Sequence, residues 1–420
     1  MSIVISLIDR PGKNTTSTSH PRRPTLERSS AARSPSRATR GAPPRTRRVA
    51  VVTGTRAEYG LLRSTLAALQ KAPHTRLQLI ATGMHLLDKF GRTIDHIHAD
   101  GWAIDATIPM QTGDDDPADQ ALGLARGVAG IAEFLLHAQS DIVLVLGDRI
   151  EAFAGALAGV TTGRLVAHIH GGDVATGDFD DTLRHSITKL SHLHLTATRN
   201  AARRIIRIGE SPDRVHVVGA PGIDELAAIV REYPKRKSRS GRALIIQHAC
   251  GRPAEREHAV MTTLLRVVRE AGLRRAIIYP NSDRGHKGII EAIEEHQANC
   301  PKEEVEVVRS LAREAYLRQL IESDVLIGNS SSGVIEAATA GTPVVNVGSR
   351  QDGRERSGRA VLDAAETHAA IRETLEQALR LRPITGKRTV YGDGHAGERI
   401  AALLARAPLD LAFRRKRIAY

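Results

Sequence analysis

Several short stretches of this chain put acids, bases and hydroxyls where apolar runs stop. Asp148 and Arg149 follow the run Ile142–Leu146, an arrangement that could poise a carboxylate for proton transfer; a plain helix cap with its own ion-pair partner reads equally well. His168-Ile169-His170-Gly171-Gly172-Asp173 ends another run, with Asp180, Asp181, Arg184 and His185 close behind. On a strand, residues two apart share a face, so His168 and His170 are expected to point the same way. With acids nearby that pattern admits a metal site, or proton shuttling by carboxylates and an imidazole. Further on, Gly328-Asn329-Ser330-Ser331-Ser332-Gly333 links an apolar run to a helical pattern over Val334 to Ala340. Three hydroxyls at a helix start suit a phosphate, with a ligand-free capping cluster as the alternative. No Gly-Lys-Ser/Thr follows, so this is not the ATP loop of P-loop enzymes.

These groups need elements to hold them. From Arg47 onward, apolar runs alternate with helical patterns such as Pro117–Ala138, Glu255–Ala271 and Ala312–Glu322. Eleven strands are expected, six before the charged break at Lys235–Arg239 and five after it. Continuously apolar strands separated by helices imply parallel sheets covered on both faces, and eleven exceed one open sheet of ordinary size. The fold class expected is therefore α/β, with two Rossmann-like domains over residues 47–230 and 240–390 facing each other across a cleft. Residues 394–420 read as a helix that returns to the first domain.

Ligands of such sheets sit beyond the carboxyl ends of the strands. A census of those ends adds Arg56 after the first strand, His85 after the second, and His248, Asn281 and Arg350 in the second half. Arg56 stands where it could pair with a diphosphate, and Glu336, one to two helical turns past Ser330, where it could accept from ribose hydroxyls.

Charge and composition exclude some classes. Of the net charge of +13, nine units belong to residues 1–48, with ten arginines and one lysine against Asp9 and Glu27. The rest is mildly basic, which fits an anionic small-molecule substrate as well as anything else. Aromatics make up only 3%, too few for base-stacking surfaces, so no nucleic-acid partner is expected. The stretch 1–46, rich in Pro, Ser, Thr and Arg, reads as a disordered basic tail or as sequence upstream of the true start, with a transit peptide as the other option. No later run could span a membrane. Two cysteines give neither a disulfide framework nor a metal quartet, which makes a reducing cytoplasm the default.

The motifs together resemble one family. TGTRAEYGLL at 53–62, GMHLLDKFG at 83–91, GDR at 147–149, HIHGGD at 168–173, DDTLRHSITKLSHLH at 180–194, GNSSSGVIEA at 328–337 and GTPVVNVGSRQDGRE at 341–355 are similar, in order, to the hydrolysing UDP-N-acetylglucosamine 2-epimerases of sialic acid biosynthesis. That resemblance implies a glycosyltransferase-B-like pair of domains, assembled as homodimers or homotetramers, with no metal or nicotinamide cofactor. It implies conversion of UDP-GlcNAc and water to N-acetylmannosamine and UDP, through elimination to a 2-acetamidoglucal. Carried over by motif, Arg56, His85, Arg149, His248, Asn281, Ser330, Ser331, Glu336 and Arg350 would hold the UDP-sugar. Asp148, His170, Asp173, Asp180 and Arg184 would surround the sugar, with Asp148 and Asp180 as acid–base groups and the second proton carrier open between His170 and Asp173. The same chemistry on a UDP-2,4-diacetamido-6-deoxy sugar is the nearest rival; a UDP-sugar-binding protein or glycosyltransferase on the same scaffold is another.

Overall fold

Val49–Val52, Ile142–Val145 and Val166–Ala167 have no solvent exposure at all. Because successive strand residues face opposite ways, such strands must lie in a sheet covered on both sides. The computed structural model describes residues 45–420 except 89–90, 113–116, 175–179, 233–239, 281–282, 310, 382–388 and 420. Its first sheet comprises β1 (Arg47–Thr53), β2 (Thr75–Thr82), β3 (Ala106–Ile108), β4 (Ile142–Leu146), β5 (Leu165–Ile169), β6 (Leu193–Thr196) and β7 (Val215–Val217). The second comprises β8 (Arg242–Ile246), β9 (Arg274–Ile278), β10 (Val305–Val308), β11 (Val325–Gly328), β12 (Val344–Val347) and β13 (Val361–Ala364).

All the pairings are parallel, with Val51 seated between Leu79 and Leu144. The strand orders are β3-β2-β1-β4-β5-β6-β7 and β10-β9-β8-β11-β12-β13. Each sheet reverses its winding direction once, between β1 and β4 and between β8 and β11, and crevices for ligands open at such points. This is the α/β architecture expected from the alternation of apolar runs and helices. Two edge strands escaped that reading. In β3, Thr107 is exposed, and in β13, Asp363 is exposed, so neither shows a continuous apolar run.

Apolar clusters cover both faces of each sheet. One joins Ala220, Ile223 and Leu226 of the helix Gly222–Glu232 and its lead-in to Leu317, Leu326 and Val334 of the second half, so that helix is shared between the sheets. Burying a single Leu or Ile contributes about 1.5–3 kcal/mol, so this seam is a firm one. Ile400, Ala401 and Leu404, from the helix Ala396–Arg406, pack into the core around Leu62 and Leu66. The expected single helix over 394–420 is in fact two, Ala396–Arg406 and Leu411–Arg414. Pro408 explains the break: the residue before a proline is pushed out of helical geometry, and Ala407 has ψ of 135°. No helix among the described residues is long and apolar enough to cross a membrane.

Candidate active site

On the first wall, Arg184 organises the acids. It sits one turn into the helix Asp180–Leu190 and is 3% exposed. One terminal nitrogen donates to the Asp148 carboxylate and the other to the carbonyl of His170, at 3.2 Å. Its Nε lies 3.8 Å from Asp181. Burial, reinforced by Arg354 from the second half, brings the guanidinium down to about 9. A cation so costly to bury is held where its carboxylate partner needs it. Asp148 keeps a fifth of its side chain open to solvent, 21%. The capping alternative for Asp148 is not what forms: the cap residue of Ile150–Thr161 is Arg149, and Arg149 pairs with Glu151, not with Asp148.

His170 lies just past β5 with φ of +63°, in the left-handed region that non-glycine residues seldom occupy and functional sites often do. Its Nδ1 meets Asp173 Oδ2 at 2.8 Å, both side chains being 7% exposed. The expectation that His168 and His170 point the same way does not carry over, because His170 stands beyond the end of β5 in the left-handed turn. His168 instead donates from Nε2 to the carbonyl of Gly147, at 2.7 Å, and its Nδ1 accepts from Thr188 at 3.2 Å. Burial drops its pKa to about 3, so a neutral imidazole braces the turn that carries Asp148. No three His, Cys, Asp or Glu side chains converge as metal ligands among the described residues. Asp180 opens the helix that bears Arg184 and is half-buried.

The second wall is fastened at its centre by amide and hydroxyl groups. Asn329, fully buried after β11, accepts from the His248 N–H at 2.7 Å and donates to the His248 carbonyl at 2.8 Å. Its own carbonyl receives Gln351 Nε2 at 2.9 Å and Arg350 Nη1 at 3.5 Å. One amide thus fastens the β8, β11 and β12 termini together. Ser330 caps the short helix Ser331–Ile335 by accepting from the Ser332 N–H. Helical geometry resumes at Ala337–Ala340 beyond Glu336, so the single helix expected from Val334 is two short pieces, and Gly341 ends the second in left-handed geometry. Ser332 donates to Glu336, and Tyr316 shares the Ser332 hydroxyl. Arg350 also reaches Asp283, at 3.3 Å.

Contacts across the crevice bring the walls together. Arg56, the first residue of Arg56–Lys71, donates to the Leu311 carbonyl. Arg313 pairs with Glu336 and with the Gly222 carbonyl, at 2.5 Å. Arg204 ties the Gly172 carbonyl, at 3.0 Å, to that of Gly353, at 3.3 Å. Tyr391, 2% exposed, donates to the Glu355 carbonyl, and burial together with the charge of Asp173 raises its phenol. Arg149 is the most shared of all. Burial works against its charge, but Glu151, Glu58, Asp180 and Asp283 outweigh that and raise its pKa.

A sequence profile of the UDP-N-acetylglucosamine 2-epimerase family matches residues 67–405. The chain belongs to that family. It is 36% identical over 374 residues to the hydrolysing UDP-N,N'-diacetylbacillosamine 2-epimerase of Legionella pneumophila, a match that covers 86% of this chain and 97% of the relative. It is 30% identical over 353 residues to the UDP-N-acetylglucosamine 2-epimerase of Neisseria meningitidis, covering 82% and 91%. Among solved structures, a UDP-GlcNAc 2-epimerase from Neisseria meningitidis bound to UDP-GlcNAc superposes with a TM-score of 0.71 at 18% identity, over 85% of this chain and 99% of the other. That likeness carries the fold, and the family resemblance drawn from the motifs is borne out.

In this epimerase-family chain, the structure gathers Asp148, His170, Asp173 and Arg184 into one cluster, and His248, Ser330, Ser331, Glu336 and Arg350 around the β8–β11 switch point. Asn281 lies outside the described residues. His85 departs from its expected place at the ligand: it has no exposure, and its ring nitrogens meet Thr53 at 3.2 Å and Thr93 at 2.8 Å. Burial, with His96 adding, lowers it to about 4. Sequence reading also passed over Asn329, Arg313 and Arg204. Asn329 stands inside a quoted motif and had a signal; Arg313 and Arg204 are ordinary helix arginines, each with a partner in its own half and another in the other half of the chain.

Proposed function

We propose that this protein is a hydrolysing 2-epimerase of a UDP-linked 2-acetamido sugar, turning UDP-sugar and water into the free 2-epimer and UDP. The observation that carries this reading is the Arg184-centred cluster of Asp148 and the His170–Asp173 pair, set against a second wall fastened by amide and hydroxyl groups and bridged by Arg149. In the first step a base on the first wall takes the C2 proton while the C1–O bond breaks, and UDP leaves with the electron pair. In the second, water adds its hydroxyl to C1 of the resulting glycal, and a proton returns to C2 from the opposite face. Two proton carriers on separate supports suit this course: Asp148 on the β4 turn and the His170–Asp173 pair on the β5 turn. Departure of UDP gains from cations and hydroxyls at the diphosphate, the part assigned to Arg149, Arg350, Ser330 and Ser331.

For the sugar, the motifs alone put UDP-GlcNAc first. The hydrolysing Legionella relative, named for UDP-N,N'-diacetylbacillosamine, is matched over nearly its whole length, and this moves the 2,4-diacetamido-6-deoxy sugar to first place. The test is incubation with each UDP-sugar in D2O, following UDP release and identifying the free sugar by NMR. The expected product carries deuterium at C2 and is formed with higher kcat/KM from the diacetamido substrate. Failure to release UDP from either, or product that keeps its original C2 hydrogen, overturns the proposal. Higher kcat/KM with UDP-GlcNAc overturns only the choice of sugar.

A further inference from the structure

Two glycines at neighbouring strand ends, Gly54 after β1 and Gly83 after β2, leave a notch that one acid fills. A Cβ on Gly54 would stand 2.4 Å from Glu151 Cγ, and a Cβ on Gly83 would stand 2.4 Å from Glu151 Oε1. Gly83 is also left-handed, with φ of +57°. Glu151 itself has no exposure. Its Oε1 accepts from Gln111 Nε2 at 3.0 Å, and its Oε2 has no hydrogen-bond donor among the described residues, only Arg149 Nε at 3.4 Å. Glu58 lies beneath the same turn, accepting the Gly54 N–H at 2.9 Å.

Burying a carboxylate here is costly, and a second carboxyl nearby makes it costlier. Glu58 is driven up to about 8, by burial first and by the charge of Glu151 as well. A group that merely filled the notch would be better apolar or amide. What the charge accomplishes is directional. It anchors Arg149 at Nε, while 48% of the Arg149 side chain stays open on the crevice side, where Asp180 and Asp283 approach. An arginine held at Nε turns its terminal nitrogens outward as a fork; Nη2 rests 3.4 Å from Met84 Sδ, a weak acceptor that a phosphate would displace for bidentate contact.

We propose that Glu151 is a positioning residue that aims the Arg149 fork at the substrate's diphosphate. The proposal rests on the UDP-sugar reading above for the identity of the ligand, and on the notch geometry for the positioning itself. Glu151→Gln keeps the volume and the bond to Gln111 and removes only the charge. In a crystal structure of E151Q, Arg149 is expected to leave its Nε anchorage. By calorimetry, UDP affinity should fall about tenfold, and kcat/KM should fall by at least as much, because the same fork serves the departing diphosphate. Thermal stability should hold or rise, because a costly buried charge is removed. R149A should lose as much affinity as E151Q, and the double variant no more than R149A. E151D, which restores the charge one methylene short, should recover part of the affinity, and it replaces E151Q as the test variant if the latter does not fold. An unmoved Arg149 in the variant, or losses that multiply in the double variant, overturns the positioning role. If the wild-type protein binds no UDP, the functional reading falls, while the crystallographic orientation of Arg149 still decides the role of Glu151.

Discussion

The two walls of the crevice solve the same placement problem with different chemistry. The first is held by buried ionisable groups: Arg184 between Asp148 and the His170 turn, His168 under Gly147, and His194 on Glu210. The second is held at its centre by amide and hydroxyl groups, with Asn329 binding His248, Gln351 and Arg350. On the proposed function, the first wall trades protons and needs groups whose charge the surroundings can set, whereas the second holds a diphosphate and needs donors whose state never changes. The contrast teaches where pH should be felt and where it should not.

Breaking the proton-trading wall should have the largest effect. Asp148→Asn leaves Arg184 a neutral partner, and kcat is expected to fall about 10²–10⁴-fold with UDP affinity within about threefold, measured by UDP release and calorimetry. Equal losses in kcat and in UDP binding would show that the walls do not divide the work. On the other wall, Arg350→Ala should lower UDP affinity and kcat/KM about tenfold each, and a variant that loses kcat with UDP affinity intact would reverse the assignment.

A third measurement reads the walls through stability. Burial holds His168 near 3, and His85 and His192 near 4, against an ordinary value near 6.5. Folded-state values below the unfolded ones mean that the unfolded chain takes up protons first as the pH falls. Stability is therefore complete above about 6.5 and is lost progressively between 6.5 and 3. Melting temperature followed over that range should drop, and His168→Asn should flatten the slope, whereas Asn329→Ala should lower stability by about 1–3 kcal/mol equally at every pH. A pH slope unchanged in the histidine variant removes this distinction. Last, trimming residues 1–44 should leave kcat/KM within about twofold, because Arg45 and Arg47 already anchor the first strand through Asp141 and the carbonyl of Leu404; a larger loss would give the basic segment a part in the site.

Reading the fold from sequence works where burial leaves a local trace. Val49–Val52 and Ile142–Val145 are covered on both faces, and that shows as unbroken apolar runs. The edge strands β3 and β13 have one side in water, so Thr107 and Asp363 interrupt the pattern. Strand ends were legible for the same reason: Asp148, His170 and Ser330 stand where apolar runs stop, and parallel sheets put ligands there. His85 stands at a strand end too, yet its ring turns inward between Thr53 and Thr93, and rotamer choice of that kind is settled by neighbours distant in sequence.

Periodicity, turn residues and the order of the motifs were enough to specify two parallel α/β sheets and the epimerase family, because each is encoded by residues close together in the chain. Tertiary packing alone decided that Arg184 joins Asp148 to the His170 turn, that Arg313 and Arg204 span the crevice, and that Glu151 fills a notch cut by Gly54 and Gly83. These pairings link residues from 14 to 149 positions apart. Their energies depend on burial and on the charge of groups that only the folded chain brings within a few ångströms, which no local pattern of residue types records.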